Sequence, residues 1–289
     1  MSEEPTVGFI GLGNMGAPMA KRLLAWPGGL IVCDVRVEAT LPFVEAGARA
    51  ATTPAEVAEQ ASVICVTVID DAQVREVLTG PNGVLAGAAA GTAVAVHSTI
   101  SDRTAEQLAA ICAEQNVEFV DAPVSGGTPA ATRGSLAVML GGSQAAVERV
   151  RAPFGSFADL IVHAGPVGAG TRMKLARNLL HFVAFTAATE AQRLAEAAGL
   201  DIAELGKVVR HSDAITGGPG AIMLRDTTRP VDPADFWYPI LGHVRDLGEK
   251  DLSLALDLGR RLEIELPLAE CALPDLGRGL GVAAPQEAS

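Results

Sequence analysis

The chain has 289 residues, a formal net charge of −12 and a hydrophobic content of 49%. A chain of this length can bury a large core and divide into two domains, and its negative charge argues against a nucleic-acid partner. No apolar run approaches the roughly 20 residues that cross a bilayer, and the first residues are acidic where a signal peptide is basic. The four cysteines have no metal-ligand spacing, which favours a cytoplasmic protein in a reducing compartment.

Strand and helix patterns alternate through the first part of the chain. Short apolar runs predict strands at residues 6–10, 30–33, 63–68, 91–96 and 117–120. Helical patterns lie between them, at residues 15–24, 37–46, 54–60, 72–78 and 101–115. Residues 84–96 are rich in Gly and Ala and predict a loop that leads into a strand. Alternation of this kind, with strands apolar throughout, implies a parallel, doubly wound α/β sheet.

The pattern changes after residue 121. Residues 122–134 are rich in Gly, Pro and Ser and predict a loop, followed by a strand at 135–140, a helix at 143–150 and a strand at 160–163. Beyond residue 167 the patterns are helical only, at roughly 168–198, 201–212, 245–262 and 267–279. Residues 215–242, rich in Gly, Pro and Asp, predict an irregular segment. The second half is therefore expected to be all-helical.

The segment GLGNMG follows the first predicted strand and opens a helix. In that setting Gly11 makes the turn, Gly13 admits a pyrophosphate and Gly16 lets the helix pack on the strand. The free N–H groups of the helix start attract the phosphates. Asp34 ends the second strand, where a carboxylate accepts hydrogen bonds from the adenosine ribose. The sequence thus predicts a Rossmann-type dinucleotide-binding domain over residues 1–164 and a helical substrate and oligomerisation domain over 165–289, starting with a long interdomain helix.

The residues after the second strand bear on the choice of cofactor. Asp34 favours NAD, because its carboxylate repels the 2′-phosphate of NADP. Arg36 has three interpretations: it could pair with that phosphate, stack on the adenine, or be a solvated surface charge. The last is the commonest for a surface arginine, so the prediction is NAD, with NADP as the alternative.

Two further segments carry candidate substrate chemistry. In DAPVSGG, residues 121–127, Ser125 offers a hydroxyl and Gly126 and Gly127 offer unobstructed backbone N–H groups, which suit a small carboxylate; the other interpretation is a plain turn. In GPVGAGTRMKLARNLL, residues 165–180, Lys174 lies between apolar neighbours at the start of a long helix, and Asn178 lies on the same face. Lysines on such helices usually extend to solvent, but Asn178, His181 and Phe185 on the Lys174 face fit that poorly. Burial beside a cofactor would disfavour the ammonium form and suit Lys174 to general acid/base work.

Four segments in this order resemble the signatures of the β-hydroxyacid dehydrogenase family, which includes 3-hydroxyisobutyrate dehydrogenase and tartronate semialdehyde reductase. They are FIGLGNMGAPMAKRL at 9–23, DAPVSGG, GPVGAGTRMKLARNLL and KDLSLALD at 250–257. The resemblance covers nearly the whole chain. It implies hydride transfer between NAD(P) and a β-hydroxyacid or its semialdehyde, with Lys174 as the catalytic lysine.

The resemblance also implies roles for individual residues. Asn178 would orient the substrate, the Ser-Gly-Gly turn would hold its carboxylate, and Lys250 would reach back towards both cofactor and substrate. The expected cofactor-binding residues are Gly11, Gly13, Asn14, Met15, Gly16, Asp34, Arg36, Val68, Ile69, Thr99 and Lys250. Asp251 is expected to be structural, near a helix start. No metal site is expected, since the five histidines lack ligand spacing, and packing is favoured for His97, His163 and His181. His181 has a second interpretation, because it lies seven residues after Lys174 and could face the site.

The chain departs from the family pattern at a few positions. Ile69 and Asp102 replace usual prolines, and Val96 replaces a usual acidic residue. The segment before Lys250 is longer than usual and contains Phe236, Trp237 and Tyr238, which either form a wall against a bulkier substrate or pack onto the helices.

The alternatives to the dehydrogenase hypothesis are an imine reductase-like or other carbonyl reductase, and a non-catalytic cofactor-binding module. Lys174 argues against an imine reductase, because those enzymes commonly place another residue there. The expected partner is a small-molecule substrate, and no membrane partner is expected. Because the long helix is apolar on most faces, the protein is expected to form a homodimer or homotetramer through the helical domain.

Overall fold

The computed structural model describes residues 4–216, 225, 227–263 and 265–282. The chain divides into two compact units, Met1–Lys174 and Leu175–Ser289. The boundary falls inside one long helix, which belongs to the first unit at its start and to the second for most of its length. Among the described residues, no helix is both long and apolar enough to cross a membrane.

The first unit is a nine-stranded sheet with helices. Its strands are β1 (Val7–Ile10), β2 (Leu30–Cys33), β3 (Arg49–Ala50), β4 (Val63–Val66), β5 (Ala93–Val96), β6 (Glu118–Asp121), β7 (Val124–Ser125), β8 (Leu136–Gly141) and β9 (Ala158–Gly165). Its helices are α1 (Gly16–Arg22), α2 (Leu41–Glu45), α3 (Pro54–Ala58), α4 (Asp71–Thr79), α5 (Val84–Gly87), α6 (Asp102–Glu114), α7 (Gly127–Arg133) and α8 (Gln144–Phe154). The predicted α/β class is confirmed.

Six strands run parallel in the order β3-β2-β1-β4-β5-β6. The order reverses at β1, which pairs with β2 on one side and β4 on the other. Open sheets bind ligands outside the carboxyl ends of the strands at such a reversal. Beyond β6 the sheet continues through β8, which is antiparallel to β6 and parallel to β9.

Alternation along the buried strands separates two cores, one on each face of the sheet. Phe9, Val32 and Cys65 point to the face that carries α1 and α8, where Met19 and Phe154 complete the cluster. The neighbouring strand residues point to the opposite face, packed by Val57, Val74 and Leu108 of other helices. Because both faces are covered, the strands are apolar throughout, as the sequence predicted.

The second unit is helical in its described residues. It contains most of α9 (Ala169–Ala197), together with α10 (Ile202–Thr216), α11 (Trp237–Arg261) and α12 (Pro267–Leu280). Phe182 and Phe185 of α9, Leu252 of α11 and Leu276 of α12 form its apolar core. A Cβ added to Gly248 would lie 2.4 Å from Leu276 and 2.8 Å from Phe182, so the glycine allows the three helices to pack closely.

Three predictions about secondary structure were wrong. The predicted loop at 122–134 contains β7 and α7, and α7 ends at Gly134, whose φ of 76° favours glycine. The predicted loop before β5 contains the single turn α5, and the edge strand β3 was not predicted.

The third error concerns the irregular segment at 215–242, of which residues 217–224 and 226 lie outside the described residues. Helix α11 begins at Trp237, whose N–H is bonded to the Asp235 carboxylate at 2.8 Å. Lys250 and Asp251 therefore lie well inside a helix, and Asp251 is not near its start. Trp237 and Tyr238 pack against the helical core, while Phe236 is exposed.

Candidate active site

The glycine loop after β1 has the geometry of a phosphate cradle. Gly11 has a φ of 92°, and a Cβ there would lie 2.1 Å from the Thr67 carbonyl oxygen. A Cβ on Gly16 would lie 1.9 Å from the Gly11 carbonyl oxygen, so the helix start and the turn fit only without side chains. A Cβ on Gly13 would meet no described atom within 4 Å beyond its chain neighbours. The open space beside Gly13, at a helix N-terminus, fits a dinucleotide pyrophosphate.

Asp34 follows β2 and connects it to the glycine loop. Its Oδ2 accepts a hydrogen bond from the Leu12 N–H at 2.6 Å, and its Oδ1 accepts from the N–H of Arg36 at 2.9 Å and from the Arg36 Nε at 3.2 Å. Burial alone would raise the pKa of Asp34, but the hydrogen bonds and the guanidinium together lower it. The carboxylate is therefore ionised at neutral pH, and Arg36 is held at its side.

The ends of β4 and β5 are joined by a serine. The Ser98 hydroxyl donates to the Val68 carbonyl at 2.7 Å and accepts from the Val68 N–H at 2.9 Å. Ile69 is 73% exposed, and Thr99 is half-buried. The predicted cofactor residues at these two strand ends thus lie at the carboxyl edge of the sheet, next to the reversal of strand order.

His97 precedes this serine but belongs to the core. Its Nδ1 lies 2.8 Å from the Ala122 carbonyl oxygen, and its ring packs on Phe9, Phe154 and Phe157. Burial lowers the pKa of His97 to about 4. A neutral, enclosed imidazole cannot exchange protons with a ligand at neutral pH, so the predicted packing role is confirmed.

The Ser-Gly-Gly segment forms the start of α7. Ser125 is half-buried at the end of β7, and Gly126 and Gly127 have φ values of 129° and 65°. A Cβ on Gly126 would lie 2.5 Å from the Ala130 side chain, so the turn depends on that glycine. Thr128, next in the chain, donates from its hydroxyl to the Asn14 carbonyl at 3.4 Å. The structure thereby brings the predicted carboxylate-binding segment beside the glycine loop.

The start of α9 is bonded to the end of β6 by Asp121, which is 1% exposed. Its Oδ1 accepts from the Gly168 N–H at 2.7 Å, and its Oδ2 accepts from the Thr171 N–H at 2.6 Å. Burial raises the pKa of Asp121, while these hydrogen bonds act in the opposite direction. The sequence analysis did not assign this residue; its only signal was a carboxylate at a strand end.

A second carboxylate holds the same turn through a side chain. Arg172 Nε lies 3.0 Å from Oδ2 of Asp102, which is 1% exposed, and the Arg172 guanidinium also pairs with Glu106. Asp102, noted above as a departure from the family, thus has a structural partner on α9. Lys174 lies two residues further on and is only 8% exposed. A lysine extending to solvent would be far more accessible, so the alternative of a solvated surface lysine is not supported.

Within the second unit, Asn178 is held in place from two sides. Its amide nitrogen donates to Oδ2 of Asp251, and its Oδ1 accepts from Arg177 Nη1 at 3.1 Å. Asp251 is 4% exposed, and Lys250 Nζ lies 3.2 Å from its Oδ1. The structure brings Asn178 and Lys250 together through this aspartate, which the sequence analysis had only called structural.

The remaining histidines of the predicted set have packing or backbone contacts. His163 contacts the carbonyl oxygens of Gly142 and Gly165, each at 3.0 Å. His181 packs edge-on against Phe182 and Phe185. The described part of the chain contains no group of three or more His, Cys, Asp or Glu side chains that could hold a metal ion.

A parallel sheet with this strand order and a glycine loop at its reversal define a dinucleotide-binding protein of the Rossmann type. Two family profiles match the chain: the NAD-binding domain of 6-phosphogluconate dehydrogenase over residues 6–165, and the NAD-binding domain of NADP-dependent 3-hydroxyisobutyrate dehydrogenase over residues 168–274. The chain belongs to the β-hydroxyacid dehydrogenase family. It is an NAD(P)-dependent hydroxyacid dehydrogenase.

Three related proteins match this chain over most of its length. An uncharacterized oxidoreductase of Mycobacterium tuberculosis is 60% identical over 98% of this chain and 96% of its own. The 2-(hydroxymethyl)glutarate dehydrogenase of Eubacterium barkeri is 32% identical over 98% of this chain and 92% of its own. The mitochondrial 3-hydroxyisobutyrate dehydrogenase of Mus musculus is 34% identical over 89% and 76%, respectively.

Solved structures show the same architecture. The 3-hydroxyisobutyrate dehydrogenase of Salmonella typhimurium superposes with a TM-score of 0.76 at 31% identity, covering 93% of this chain and 91% of that one. The 3-hydroxyisobutyrate dehydrogenase of Mycobacterium tuberculosis, described with L-serine, gives 0.75 at 31% over the same shares. An imine reductase from a Pseudomonas species gives 0.63 at 22% identity, covering 96% of each chain, and so shares the fold alone.

Proposed function

We propose that the protein interconverts a β-hydroxyacid of the form HOCH2–CH(R)–COO⁻ and its semialdehyde by hydride transfer, with Lys174 as general acid/base. The observation that carries the proposal is the burial of Lys174 at the start of α9, whose first turn is bonded to the carboxyl edge of the sheet through Asp121. A buried lysine at the start of a helix that is bonded to the carboxyl edge of a dinucleotide fold is a candidate for proton transfer, because functional sites are where ionisable groups are buried.

The names of the relatives support this substrate class. 3-Hydroxyisobutyrate carries a methyl group as R, and 2-(hydroxymethyl)glutarate carries a carboxyethyl group at the same carbon. L-Serine, named with the mycobacterial structure, carries an ammonium group there. The primary alcohol and the carboxylate are common to all three molecules, so a site that recognises these two groups accounts for the whole set.

The Ser-Gly-Gly segment is the proposed partner of the common carboxylate. The Ser125 hydroxyl and the N–H groups of Gly126 and Gly127 lie at the start of α7, where the helix dipole favours an anion. Their place beside the glycine loop, through Thr128 and Asn14, supports the role because hydride transfer needs substrate and nicotinamide in contact. Asn178 and Lys250 are proposed as further substrate-binding residues, and Lys250 also as a cofactor ligand.

Lys174 would move the proton of the reaction. Bound NAD(P) supplies the hydride acceptor or donor at its nicotinamide ring. In oxidation, neutral Lys174 takes the hydroxyl proton as the C–H bond of the carbinol carbon breaks and the carbonyl forms. In reduction, its ammonium group donates a hydrogen bond to the carbonyl oxygen and then the proton, so protons and electrons balance in both directions.

NAD is the proposed cofactor in preference to NADP. The ionised Asp34 lies where the adenosine ribose is expected, and its charge opposes a 2′-phosphate. Arg36 forms an ion pair with this carboxylate and is therefore less available to pair with such a phosphate. Asn14, Met15, Val68, Ile69 and Thr99 are proposed to line the remainder of the cofactor site.

The test is a panel of primary alcohols assayed with NAD and NADP separately. The acids would carry hydrogen, methyl, carboxyethyl or ammonium as R, and isobutanol would serve as the matched control that keeps the methyl group but lacks the carboxylate. We expect at least one acid to be oxidised, with NAD preferred and isobutanol at least 100-fold poorer in kcat/KM, because a charge-assisted carboxylate site is lost. Equal rates for isobutanol would exclude the carboxylate site.

The second candidate is an imine reductase-like or other carbonyl reductase acting on a bulkier substrate. The exposed Phe236 favours it, because this side chain is available to contact a larger apolar substrate. Reduction of a cyclic imine with NADPH, combined with no turnover of any acid in the panel, would replace the proposal. Cofactor binding without turnover of either class would favour a non-catalytic module.

We further propose that residues 1–164 act as the dinucleotide-binding domain, that residues 165–289 form the substrate and oligomerisation domain, and that the protein is a cytoplasmic homodimer or homotetramer. The boundary is supported by the two family profiles, which meet between residues 165 and 168. Self-association is supported by exposed apolar residues on the helices of the second unit, including Leu180, Val208 and Ile215. Light scattering should give a mass of at least twice 29.7 kDa, and a monomer would contradict it.

A further inference from the structure

The buried carboxylate of Asp121 bonds to two backbone N–H groups at the start of α9. Its oxygens accept from Gly168 at 2.7 Å and from Thr171 at 2.6 Å, one oxygen for each donor. A single cap bond constrains the start of a helix at only one point. Two bonds to the two oxygens of one planar group fix both the position and the direction of the first turn.

Glycines allow this turn to lie directly against the sheet backbone. A Cβ on Gly170 would lie 2.3 Å from the Met139 carbonyl oxygen and 2.7 Å from the Asp121 carbonyl oxygen. A Cβ on Gly141 would lie 2.3 Å from Oδ1 of Asp121. The carboxylate therefore lies in a space that side chains on either neighbour would fill, and the contact is specific in its geometry.

The same turn determines the direction of Lys174. Gly170 and Thr171, which face Asp121, lie four and three residues before Lys174, and residues at these spacings share one face of a helix. Lys174 is accordingly buried. On the other side of Asp121, the chain reaches Ser125 after four residues. Asp121 is thus close in the chain to the segment proposed to hold the substrate, and it is hydrogen-bonded to the helix that carries the lysine proposed to exchange its proton.

The simpler interpretation is an ordinary helix cap. In this protein α3, α6 and α8 are capped by the neutral hydroxyls of Thr53, Ser101 and Ser143. The carboxylates of Asp70 and Asp201 cap α4 and α10, but the first is half-buried and the second is exposed. A hydroxyl caps a helix without burying a charge, which costs free energy when no cation compensates it. The buried carboxylate at α9 therefore costs stability that a neutral or exposed cap would not cost. Its advantage is the fixed geometry of the first turn.

We propose that Asp121 is a positioning residue that fixes the first turn of α9, and with it Lys174, against the carboxyl edge of the sheet. The inference rests on the proposed role of Lys174. It explains how the lysine is held in position. Position matters because small displacements of a catalytic group have large effects on rate.

The experiment compares Asp121→Asn with Asp121→Ala. Asparagine keeps one acceptor, for one of the two N–H groups, while alanine keeps none. We expect kcat for the best acid of the panel to fall about 5-fold to 10-fold in the first variant and further in the second, with the Kd for NADH within 2-fold of wild type. Val84→Ala, a cavity in α5 in the core on the opposite face of the sheet from Val120 and Ala122, is the control for lost stability and should leave kcat unchanged.

Amide hydrogen exchange on the wild-type protein tests the contact itself, even where a variant fails to fold. The N–H groups of Gly168 and Thr171 should exchange at least 100-fold more slowly than the N–H of an exposed residue at a helix start, here Ala72 of α4. Fast exchange at both positions, or folded Asp121 variants with wild-type kcat, would overturn the proposal. Protected amides in a protein that oxidises no acid would instead count against the proposed function alone.

Discussion

Lys174→Met is expected to lower kcat for hydroxyacid oxidation by roughly 10²- to 10⁴-fold, the usual contribution of a positioned general acid/base. Methionine preserves the length and apolar stem of the lysine but cannot accept or donate the proton. Because Lys174 is buried, the substitution also removes a polar group from an enclosed place, so the fold should be retained. Stopped-flow measurement of NADH formation, with the Kd for NADH from fluorescence titration, gives both quantities.

The matched control is Lys207→Met, the same change at an exposed lysine of α10 that pairs with Glu204. It should leave kcat and the Kd for NADH unchanged, since an exposed ion pair contributes little. If Lys174→Met turned over at more than a tenth of the wild-type rate, another group would have to carry the proton. His97 could not replace it, because its ring is enclosed by Phe9, Phe154 and Phe157.

The glycine loop could be predicted from sequence because its logic is local. A strand, a glycine-rich turn and a helix follow each other within residues 7–22, and Gly16 leaves room for the carbonyl oxygen of Gly11, five residues earlier. The positions of the first strands followed from their apolar character for the same reason. Helix caps have the same local character, because Thr53 and Ser101 lie only three and two residues before the N–H groups from which they accept.

Elements rich in turn formers were harder to predict. Helix α7 contains Gly127 and Pro129 in its first turn, where both are tolerated, so its sequence is typical of a loop as well as of a helix start. Helix α11 contains Pro239, Gly242 and Gly248, and only packing against Leu276 and Phe182 explains why the last is helical. Tertiary contacts outweighed local propensity in both helices.

The partnerships of the buried carboxylates could not be predicted at all. Asp121 meets Gly168 across 47 residues, Arg172 meets Asp102 across 70, and Asn178 meets Asp251 across 73. Nothing in a single sequence pairs positions at such separations. The sequence therefore predicts candidate residues for the chemistry, while the residues that hold those candidates in place became visible only in the structure.

Alanine substitutions at the three glycines of the loop should separate effects on protein stability from effects on cofactor binding. Alanine at position 11 or 16 would place its Cβ 2.1 Å or 1.9 Å from a carbonyl oxygen, so either change should destabilise the protein itself. Alanine at position 13 meets no described atom within 4 Å beyond its chain neighbours. Its φ lies outside the left-handed region that favours glycine, so the change carries no backbone strain.

Gly13→Ala is therefore expected to leave the melting temperature of the cofactor-free protein unchanged or slightly higher, because alanine restricts the unfolded chain. The Kd for NADH should nevertheless rise roughly 10- to 100-fold, since a methyl group in a filled space costs about 1–3 kcal/mol. Gly242→Ala is the matched control: its Cβ also meets no described atom within 4 Å, but it lies inside α11. It should raise the melting temperature and leave the Kd unchanged. If Gly13→Ala bound NADH as tightly as wild type, the open space beside Gly13 would not be where the pyrophosphate lies, because only a bound group there can distinguish the two alanines.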